Sequence, residues 1–346
     1  MRVNEEKFWG EDEPVSQEDK NPSGAIRGAG ARSPLVWKTL LVLMALTWGF
    51  SFFVMKDVLN QVPTFTLLAT RFLPAAFIMF MLFRERIYKH FNASNLEVGI
   101  SMGVIMWLAY SLQTLGLVET TPGKNAFLTG TYCILVPFIS YLINREPLTR
   151  FNIGAAICCL CGIGLVALDS MTINIGDVLT LAGAFFFALQ MSMVSKYGQN
   201  LDVNVITFWM FLVVGVLCLV TALLTEDIFG VIPWTPKLIG TLAFLSVVCT
   251  CVGLLIQNLA LAHVPPATGS LLLSLESPSG VFFSVMLAQE VLTGRLLLGF
   301  ALIFFSIVLS ETHLSFLLPK SHDVHAGRNI VYTDGVETED SVITHS

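Results

Sequence analysis

The chain has 346 residues, of which 54% are hydrophobic and 13% are charged, and its mean hydropathy is +0.73. Folded soluble proteins carry about 25% charged residues, so this composition excludes an ordinary soluble domain. The formal charge of −6 belongs to tails and loops, because acidic residues cluster before the first apolar stretch and after the last.

Ten apolar stretches follow one another along the chain, each about as long as a helix that spans a bilayer. About 20 apolar residues, each adding about 1.5 Å of rise, cross the hydrocarbon layer. We therefore predict an all-α membrane protein with ten transmembrane helices. The predicted spans are 36–55, 64–83, 96–116, 126–143, 151–168, 176–195, 203–224, 237–259, 267–287 and 296–316.

The segments 1–35 and 317–346 lie outside these spans, and their polar, acidic composition predicts disordered tails. The first segment has no signal-peptide pattern. Of the 19 lysines and arginines, 14 fall on the side of the N-terminus, 4 fall on the other side and Arg71 lies within a span. The positive-inside rule then predicts a multi-pass protein of the plasma (inner) membrane with both termini in the cytoplasm.

All seven cysteines fall inside predicted spans, where a thiol acts as a small apolar group. Cys158, Cys159 and Cys161 are close in sequence, but neighbours on a helix point in different directions. We predict no disulfide framework, no metal site and no cofactor.

An internal repeat divides the spans into two sets of five. A shift of 144 residues aligns Gln113 with Gln257, and it aligns Tyr132 with Glu276. We predict one repeat at 36–170 and a second at 171–316. Because each repeat has an odd number of spans, the second enters the membrane in the opposite sense. Inverted repeats of this kind recur in secondary transporters, whose substrate site lies near the bilayer midplane.

Several short motifs in the spans resemble the paired EamA-type repeats of the drug/metabolite transporter superfamily. They are TWGFS at 47–51, ATRF at 69–72, AFLTG at 126–130 with VP at 136–137, NREPLT at 144–149, GD at 176–177, LESP at 275–278 and QEVLT at 289–293. The resemblance covers about residues 36–316. It implies a ten-helix permease in which helices one to four and six to nine surround a central substrate cavity, while helices five and ten lie at the periphery.

Two charged residues within spans are the main candidates for function. A charge at mid-membrane costs about 2.5–3.5 kcal/mol on insertion scales, so such residues face protein or water and mark pathways. Arg71 is either a structural residue or a contact for an anion or substrate. Glu276 is the candidate for proton coupling, because a carboxylate that loses water is favoured in its neutral form.

Polar and aromatic residues complete the predicted cavity. In addition to Arg71 and Glu276, the candidates are Trp48, Trp107, Tyr110, Gln113, Tyr132, Gln257 and Asn258. Their side chains either bind a solute or make the hydrogen bonds between helices that every polar group in lipid must find.

The remaining function classes are weighed by motifs. The sequence has no Gly-x-Ser-x-Gly and no His-Glu-x-x-His motif, so we do not predict an enzyme. It has no P-loop, so a gradient would drive transport.

We predict a secondary active transporter for small organic metabolites or amphipathic drugs, which works by alternating access. Proton coupling is left open. The alternatives are an exchanger of phosphorylated or nucleotide-linked metabolites, or a receptor or scaffold. Expected partners are a small-molecule substrate and the lipid bilayer, without nucleic acid; a homodimer is left open.

Overall fold

A computed structural model describes residues 34–145, 150–167, 174–227, 232–264, 266–288 and 293–312. Within these ranges all regular secondary structure is helical, which confirms the all-α prediction. The elements are α1 (Pro34–Leu59), α2 (Thr64–Lys89), α3 (Ala93–Glu119), α4 (Pro122–Gly130), α5 (Tyr132–Asn144), α6 (Arg150–Ala167), α7 (Ile175–Tyr197), α8 (Val203–Thr225), α9 (Pro236–Ala243), a π-helical segment (Phe244–Val252), α10 (Gly253–Leu261), α11 (Pro266–Leu273), α12 (Glu276–Ala288) and α13 (Gly294–Thr312). Nearly all of the two predicted tails lies outside the described residues.

Seven helical units in the described ranges are long and apolar enough to cross a membrane. They are α1, α2, α3, α4 with α5, α7, α8, and α9 continued through the π-helical segment into α10. The other three predicted spans fall on α6, on α11 with α12, and on α13. Large apolar side chains point outward, and Leu82, Leu142 and Leu224 are 68%, 77% and 79% exposed. Apolar surface of this extent marks a membrane-facing protein.

Five of the described helices follow a residue whose side chain accepts a hydrogen bond from the first turn. Side-chain oxygens of Asn92, Thr121, Asn174, Asp202 and Thr235 accept hydrogen bonds from the first backbone N–H groups of α3, α4, α7, α8 and α9. Short polar side chains are favoured there because these N–H groups have no partner within the helix.

Helix α2 begins differently, because Pro63 precedes it and has no side-chain oxygen. Glu226, just after the end of α8, takes over the capping role. Its two carboxylate oxygens accept hydrogen bonds from the backbone N–H groups of Phe65, at 2.7 Å, and Thr66, at 2.8 Å. The start of α2 is thereby joined to the end of α8.

Two predicted spans are broken near their middle, which corrects the expectation of continuous helices. The span at 126–143 is interrupted at Thr131, between α4 and α5, and the span at 267–287 is interrupted between α11 and α12. The Thr131 hydroxyl donates a hydrogen bond to the Leu128 carbonyl at 2.6 Å, and such local bonds compete with the helical ladder. Each second half-helix begins at one of two residues that the repeat aligns, Tyr132 and Glu276.

The helices pack around a shared interior. Helix α3 lies along α7 and α8, α2 lies along α8 and the π-helical segment, and α12 contacts both α1 and α4. Helices α6 and α13 pack mainly against each other, and Gly162 permits their close approach: a Cβ placed on it would lie 2.9 Å from the Gly299 carbonyl oxygen.

Candidate functional site

A central cavity of about 480 Å³ lies inside the helical bundle. Its walls come from α1, α2, α3, α4, α5, α7, α10 and α12, so both halves of the chain contribute to it. The lining residues are Trp48, Ser51, Phe52, Met55, Arg71, Tyr110, Gln113, Thr129, Tyr132, Phe187, Met191, Leu254, Gln257 and Glu276. This list includes seven of the nine residues that the sequence nominates.

Arg71 on α2 forms part of the wall and is only 2% exposed. Its Nε donates a hydrogen bond to the Thr250 hydroxyl at 3.1 Å, and Nη1 contacts the Met55 sulfur at 2.8 Å. The guanidinium carbon lies 5.1 Å from the centre of the Tyr110 ring, within the range of a cation–π interaction. Among the described residues, no carboxylate lies within ion-pair distance of Arg71.

Glu276 faces the same cavity from the first turn of α12 and is 5% exposed. The first turn of α12 is bonded to the preceding segment, because the Ser277 N–H donates to the Ser274 carbonyl at 3.0 Å and the Ser279 N–H donates to the Leu275 carbonyl at 3.2 Å. The Tyr132 side chain lines the same cavity. Within the described part of the chain its Oε1 atom is buried without a hydrogen-bond partner. Glu276 therefore has an acceptor to offer to a ligand.

Trp48 closes another part of the wall. Its indole Nε1–H donates a hydrogen bond to the Cys249 carbonyl at 2.8 Å. Cys249 belongs to the π-helical segment, where the i→i+5 pattern alters the usual pairing of carbonyls. Gly253 leaves room for the indole, because a Cβ placed there would lie 3.0 Å from Nε1.

One end of the bundle is held by charged groups and is called the ion-pair end. Lys124 on α4 lies 3.0 Å from the Asp177 carboxylate on α7, and the Thr120 hydroxyl donates to the same carboxylate at 3.0 Å. Asp177 is 1% exposed. Lys56 on α1 donates to three carbonyls at the end of α3, the shortest bond being 2.7 Å to Leu117.

The opposite end is held by neutral side chains and is called the amide end. Gln190 on α7 donates to Asn258 at 3.1 Å and accepts from Gln257 at 3.3 Å, while Asn258 donates to Thr207 at 3.0 Å. Gln257 lines the central cavity, whereas Asn258 lines a smaller cavity of about 180 Å³ beside the turn between α7 and α8. The amide network therefore separates the two cavities.

Two residues nominated by the sequence do not reach the central cavity. Asn258 belongs to the amide network described above. Trp107 is half-buried in α3, and its Nε1 has no hydrogen-bond acceptor among the described residues.

Within the described ranges, no group of three His, Cys, Asp or Glu side chains is placed to hold a metal ion.

The EamA-like transporter family model matches two segments of the chain, residues 35–168 and 174–312. The chain belongs to this family. Its membership identifies the chain as a multi-pass membrane transporter, and the resemblance carried by the sequence motifs is confirmed.

Relatives of this EamA-family chain are also named as transporters. A protein named "Uncharacterized transporter" from Archaeoglobus fulgidus is 28% identical over 270 residues, which cover 78% of this chain and 83% of that protein. "Uncharacterized transporter YoaV" from Bacillus subtilis is 22% identical over 271 residues, which cover 76% and 92%. One solved crystal structure is similar with a TM-score of 0.61 at 15% identity, covering 80% of this chain and 97% of that one, and this likeness concerns the fold.

Half of the residues that line the cavity in this EamA-family chain are not among those predicted from the sequence. Phe52 and Met55 follow Trp48 by four and seven residues, and Phe187 and Met191 are four apart, so each set lies on one helix face. Helical spacing from Trp48 is therefore a signal that could have found the first pair. The other omitted lining residues are Ser51, Thr129 and Leu254.

Proposed function

We propose that this EamA-family chain is a secondary active transporter that moves small organic metabolites or amphipathic drugs by alternating access. The observation that carries the proposal is the central cavity, which both halves of the chain line and which different contacts close at its two ends.

The proposal includes ten spans arranged as two inverted five-helix repeats. It is supported by the two family matches and by the paired breaks, at which aligned residues Tyr132 and Glu276 begin α5 and α12. Helices α6 and α13, which would be the fifth and tenth spans, contribute no described residue to the cavity. Broken helices beside a midplane site are a recurring feature of inverted-repeat transporters.

The proposed orientation puts both termini in the cytoplasm of a plasma membrane. It rests on the excess of lysine and arginine on that side of the sequence. The ion-pair end then faces outward and the amide end faces the cytoplasm. Alternating access would open one of these ends while the other stays closed.

The chemistry of the cavity favours an organic solute with both polar and apolar parts. Trp48, Tyr110, Tyr132 and Phe187 offer aromatic surface, and the two glutamines offer amide groups. Arg71 alone would favour a phosphorylated solute, which is the exchanger alternative. The carboxylate of Glu276 in the same cavity would oppose a phosphate, so we favour the metabolite or drug transporter.

Glu276 is the proposed proton-coupling residue. Glu276 lies in the first turn of α12, and its Oε1 atom is buried without a hydrogen-bond partner among the described residues. The surroundings of this atom would therefore differ between the empty cavity and the cavity with a bound ligand. A carboxyl group that loses water is favoured as the neutral acid, and an approaching cation favours the ion. A cycle between these environments would carry a proton with each substrate.

Flux into proteoliposomes tests the proposal. A panel of radiolabelled amino acids, organic acids and the cationic dye ethidium is offered with and without an imposed pH gradient. We expect accumulation of at least one solute, and we expect Glu276→Gln to lose its gradient dependence while retaining exchange. Glu97→Gln, at an exposed position on α3, is the matched control. Equal gradient dependence in Glu276→Gln and the unmodified chain would contradict proton coupling.

A further inference from the structure

A further cavity, open to its surroundings, lies at the amide end of the bundle, where α5 and α7 end. Its lining includes Asn144 and Arg145 at the end of α5, and Ser195 and Lys196 on α7. None of these four residues lines the central cavity. The strongly exposed side chain of Leu142 lies just before them on α5. A polar cavity therefore borders the apolar, membrane-facing surface of the protein.

Two cationic side chains, Arg145 and Lys196, line this cavity, and both are exposed. Among the described residues, no carboxylate lies within ion-pair distance of either. The Lys196 ammonium donates one hydrogen bond, at 3.1 Å, to the Ile143 carbonyl near the end of α5. An ammonium has three N–H donors, so donors remain for a ligand. The bond to Ile143 also ties this cation to the end of α5, where Arg145 follows.

The backbone of Arg145 is in the left-handed region, with φ 58° and ψ 30°, and in the described part of the chain no other non-glycine residue has a positive φ. Its N–H donates to the Tyr141 carbonyl at 3.0 Å and ends α5. Glycine is the usual residue at such a helix end, because a side chain is strained there. Residues held in strained conformations cluster at ligand sites. Arg145 thus places a cation where the backbone alone favours glycine.

Asn144 adds an acceptor to the two cations. Its Oδ1 atom is buried and has no hydrogen-bond partner among the described residues. A buried acceptor without a donor costs free energy. The cavity is therefore complemented by a ligand that has anionic oxygens for the two cations and a hydroxyl donor for this amide oxygen.

The charge of this cavity differs between the two halves of the chain. The shift of 144 residues that defines the internal repeat aligns Arg145 with Gln289, so the second repeat has a neutral residue where the first has a cation. In the proposed orientation Arg145 lies at the cytoplasmic face, and the predicted topology puts position 289 on the opposite side. Cytoplasmic leaflets attract basic segments because they carry anionic lipids. The cation thus occurs at the end where anionic head groups are available.

We propose that this cavity binds an anionic glycerophospholipid of the cytoplasmic leaflet whose head group carries a hydroxyl, as in phosphatidylglycerol. The phosphodiester oxygens accept hydrogen bonds from Arg145 and Lys196, and the head-group hydroxyl donates to Asn144 Oδ1. The acyl chains lie against the apolar surface at Leu142. Basic pockets between transmembrane helices hold lipid head groups in this way. The leaflet follows from the proposed orientation, whereas binding itself does not depend on transport.

Lipid titrations into the purified full chain in uncharged maltoside micelles test the site, with thermal stabilisation as the readout. The probes share dioleoyl chains. Phosphatidylglycerol has the charge and the hydroxyl, phosphatidylmethanol has the same charge without the hydroxyl, and phosphatidylcholine has no net charge. We expect stabilisation to fall in that order. Glycerol 3-phosphate, which lacks acyl chains, should not stabilise the chain at the same concentrations.

Three variants assign the effect to the cavity. Arg145→Gly suits the left-handed backbone, so it should fold, and it should weaken binding of both anionic lipids about fivefold, as loss of one basic residue at a membrane surface predicts. Lys196→Gln should do the same. Asn144→Ala should erase the preference for phosphatidylglycerol over phosphatidylmethanol. Arg84→Gln is the matched control, because it removes an exposed cation of α2 that has no ion pair in the described ranges.

Four outcomes would overturn the lipid site. They are equal stabilisation by phosphatidylglycerol and phosphatidylcholine, unchanged lipid binding in the double variant of Arg145→Gly with Lys196→Gln, a loss in Arg84→Gln as large as in Arg145→Gly, and stabilisation by glycerol 3-phosphate equal to that by the lipid. The third would assign binding to diffuse charge, and the fourth would assign the cavity to a soluble phosphate. Phosphatidylmethanol that stabilises as well as phosphatidylglycerol would contradict the hydroxyl contact at Asn144.

Discussion

The contact of α3 with α7 and the contact of α1 with α10 are equivalent under the proposed inverted repeat, yet they are packed differently. Between α3 and α7 the backbones touch: a Cβ placed on Gly183 would lie 3.0 Å from the Ala109 carbonyl oxygen and 3.1 Å from the Gln113 nitrogen. Between α1 and α10 the Trp48 indole stands against Gly253. One junction is closed by glycine, and the other is held apart by an aromatic ring.

Alternating access requires that the two equivalent junctions pack differently in any one conformation. Two similar halves that adopt different packing can exchange their packing, and the cavity then opens to the other side. The α3–α7 junction would loosen as the α1–α10 junction closes. The π-helical segment lies beside the junction that is held apart, and π-helical turns often mark functional sites.

The contacts at the two ends of the cavity also differ in strength. Removal of one partner from a buried ion pair costs about 3–5 kcal/mol, whereas an interhelical hydrogen bond between neutral groups in a membrane is worth about 0.6 kcal/mol. The ion-pair end is therefore expected to resist opening more than the amide end does.

The largest effect is expected from Asp177→Asn, which leaves Lys124 without its buried anion. The free energy of unfolding in detergent micelles should fall by about 3 kcal/mol. Asp57→Asn is the control, since its pair with Lys237 spans 3.9 Å with side chains 54% and 85% exposed, and such pairs contribute less than about 1 kcal/mol. Equal losses in the two variants would show that burial does not set the strength of the ion-pair end.

The sequence predicts the helices well because a bilayer imposes a strong and simple requirement on composition. It also finds Arg71 and Glu276, since charge within a span is penalised unless it faces protein or water. The same reasoning selects Asn258 along with Gln257, although side chains one residue apart on a helix point in different directions. Composition alone does not separate the residue that lines the cavity from its neighbour.

The π-helical segment escapes the sequence for a different reason, since no proline lies between residues 244 and 252. The break before α12 does have a local signal, because Pro278 removes an N–H donor and its ring crowds the carbonyl of Ser274, four residues earlier. The π-helical segment is fixed by contacts with distant residues, such as the bonds from Trp48 to Cys249 and from Ser246 to Arg71. Such tertiary bonds have no signature in local propensity or hydropathy.

Gly183→Ala should have an intermediate effect, because it places a methyl group where the backbones of α3 and α7 touch. Overpacking of this kind costs about 1–3 kcal/mol. We expect a net loss of about 0–2 kcal/mol in unfolding free energy, since alanine also favours the helix by about 1 kcal/mol. Gly240→Ala is the matched control, as no atom lies within 4 Å of a Cβ placed there. A stabilised Gly183→Ala variant would contradict the close packing of this junction.

The smallest effect is expected at the amide end, from Gln190→Leu. The variant removes the partner of Gln257 and of Asn258, so the unfolding free energy should fall by about 1 kcal/mol, as expected for one or two neutral bonds in a membrane. Because the amide network separates the central cavity from the smaller one, the same variant should raise the leak of accumulated solute from proteoliposomes after the gradient collapses. Gln199→Leu, exposed near the same end, should change neither quantity. A Gln190→Leu variant with unchanged leak would mean that the closure of the amide end depends on packing, and the contrast with the ion-pair end would then rest on stability alone.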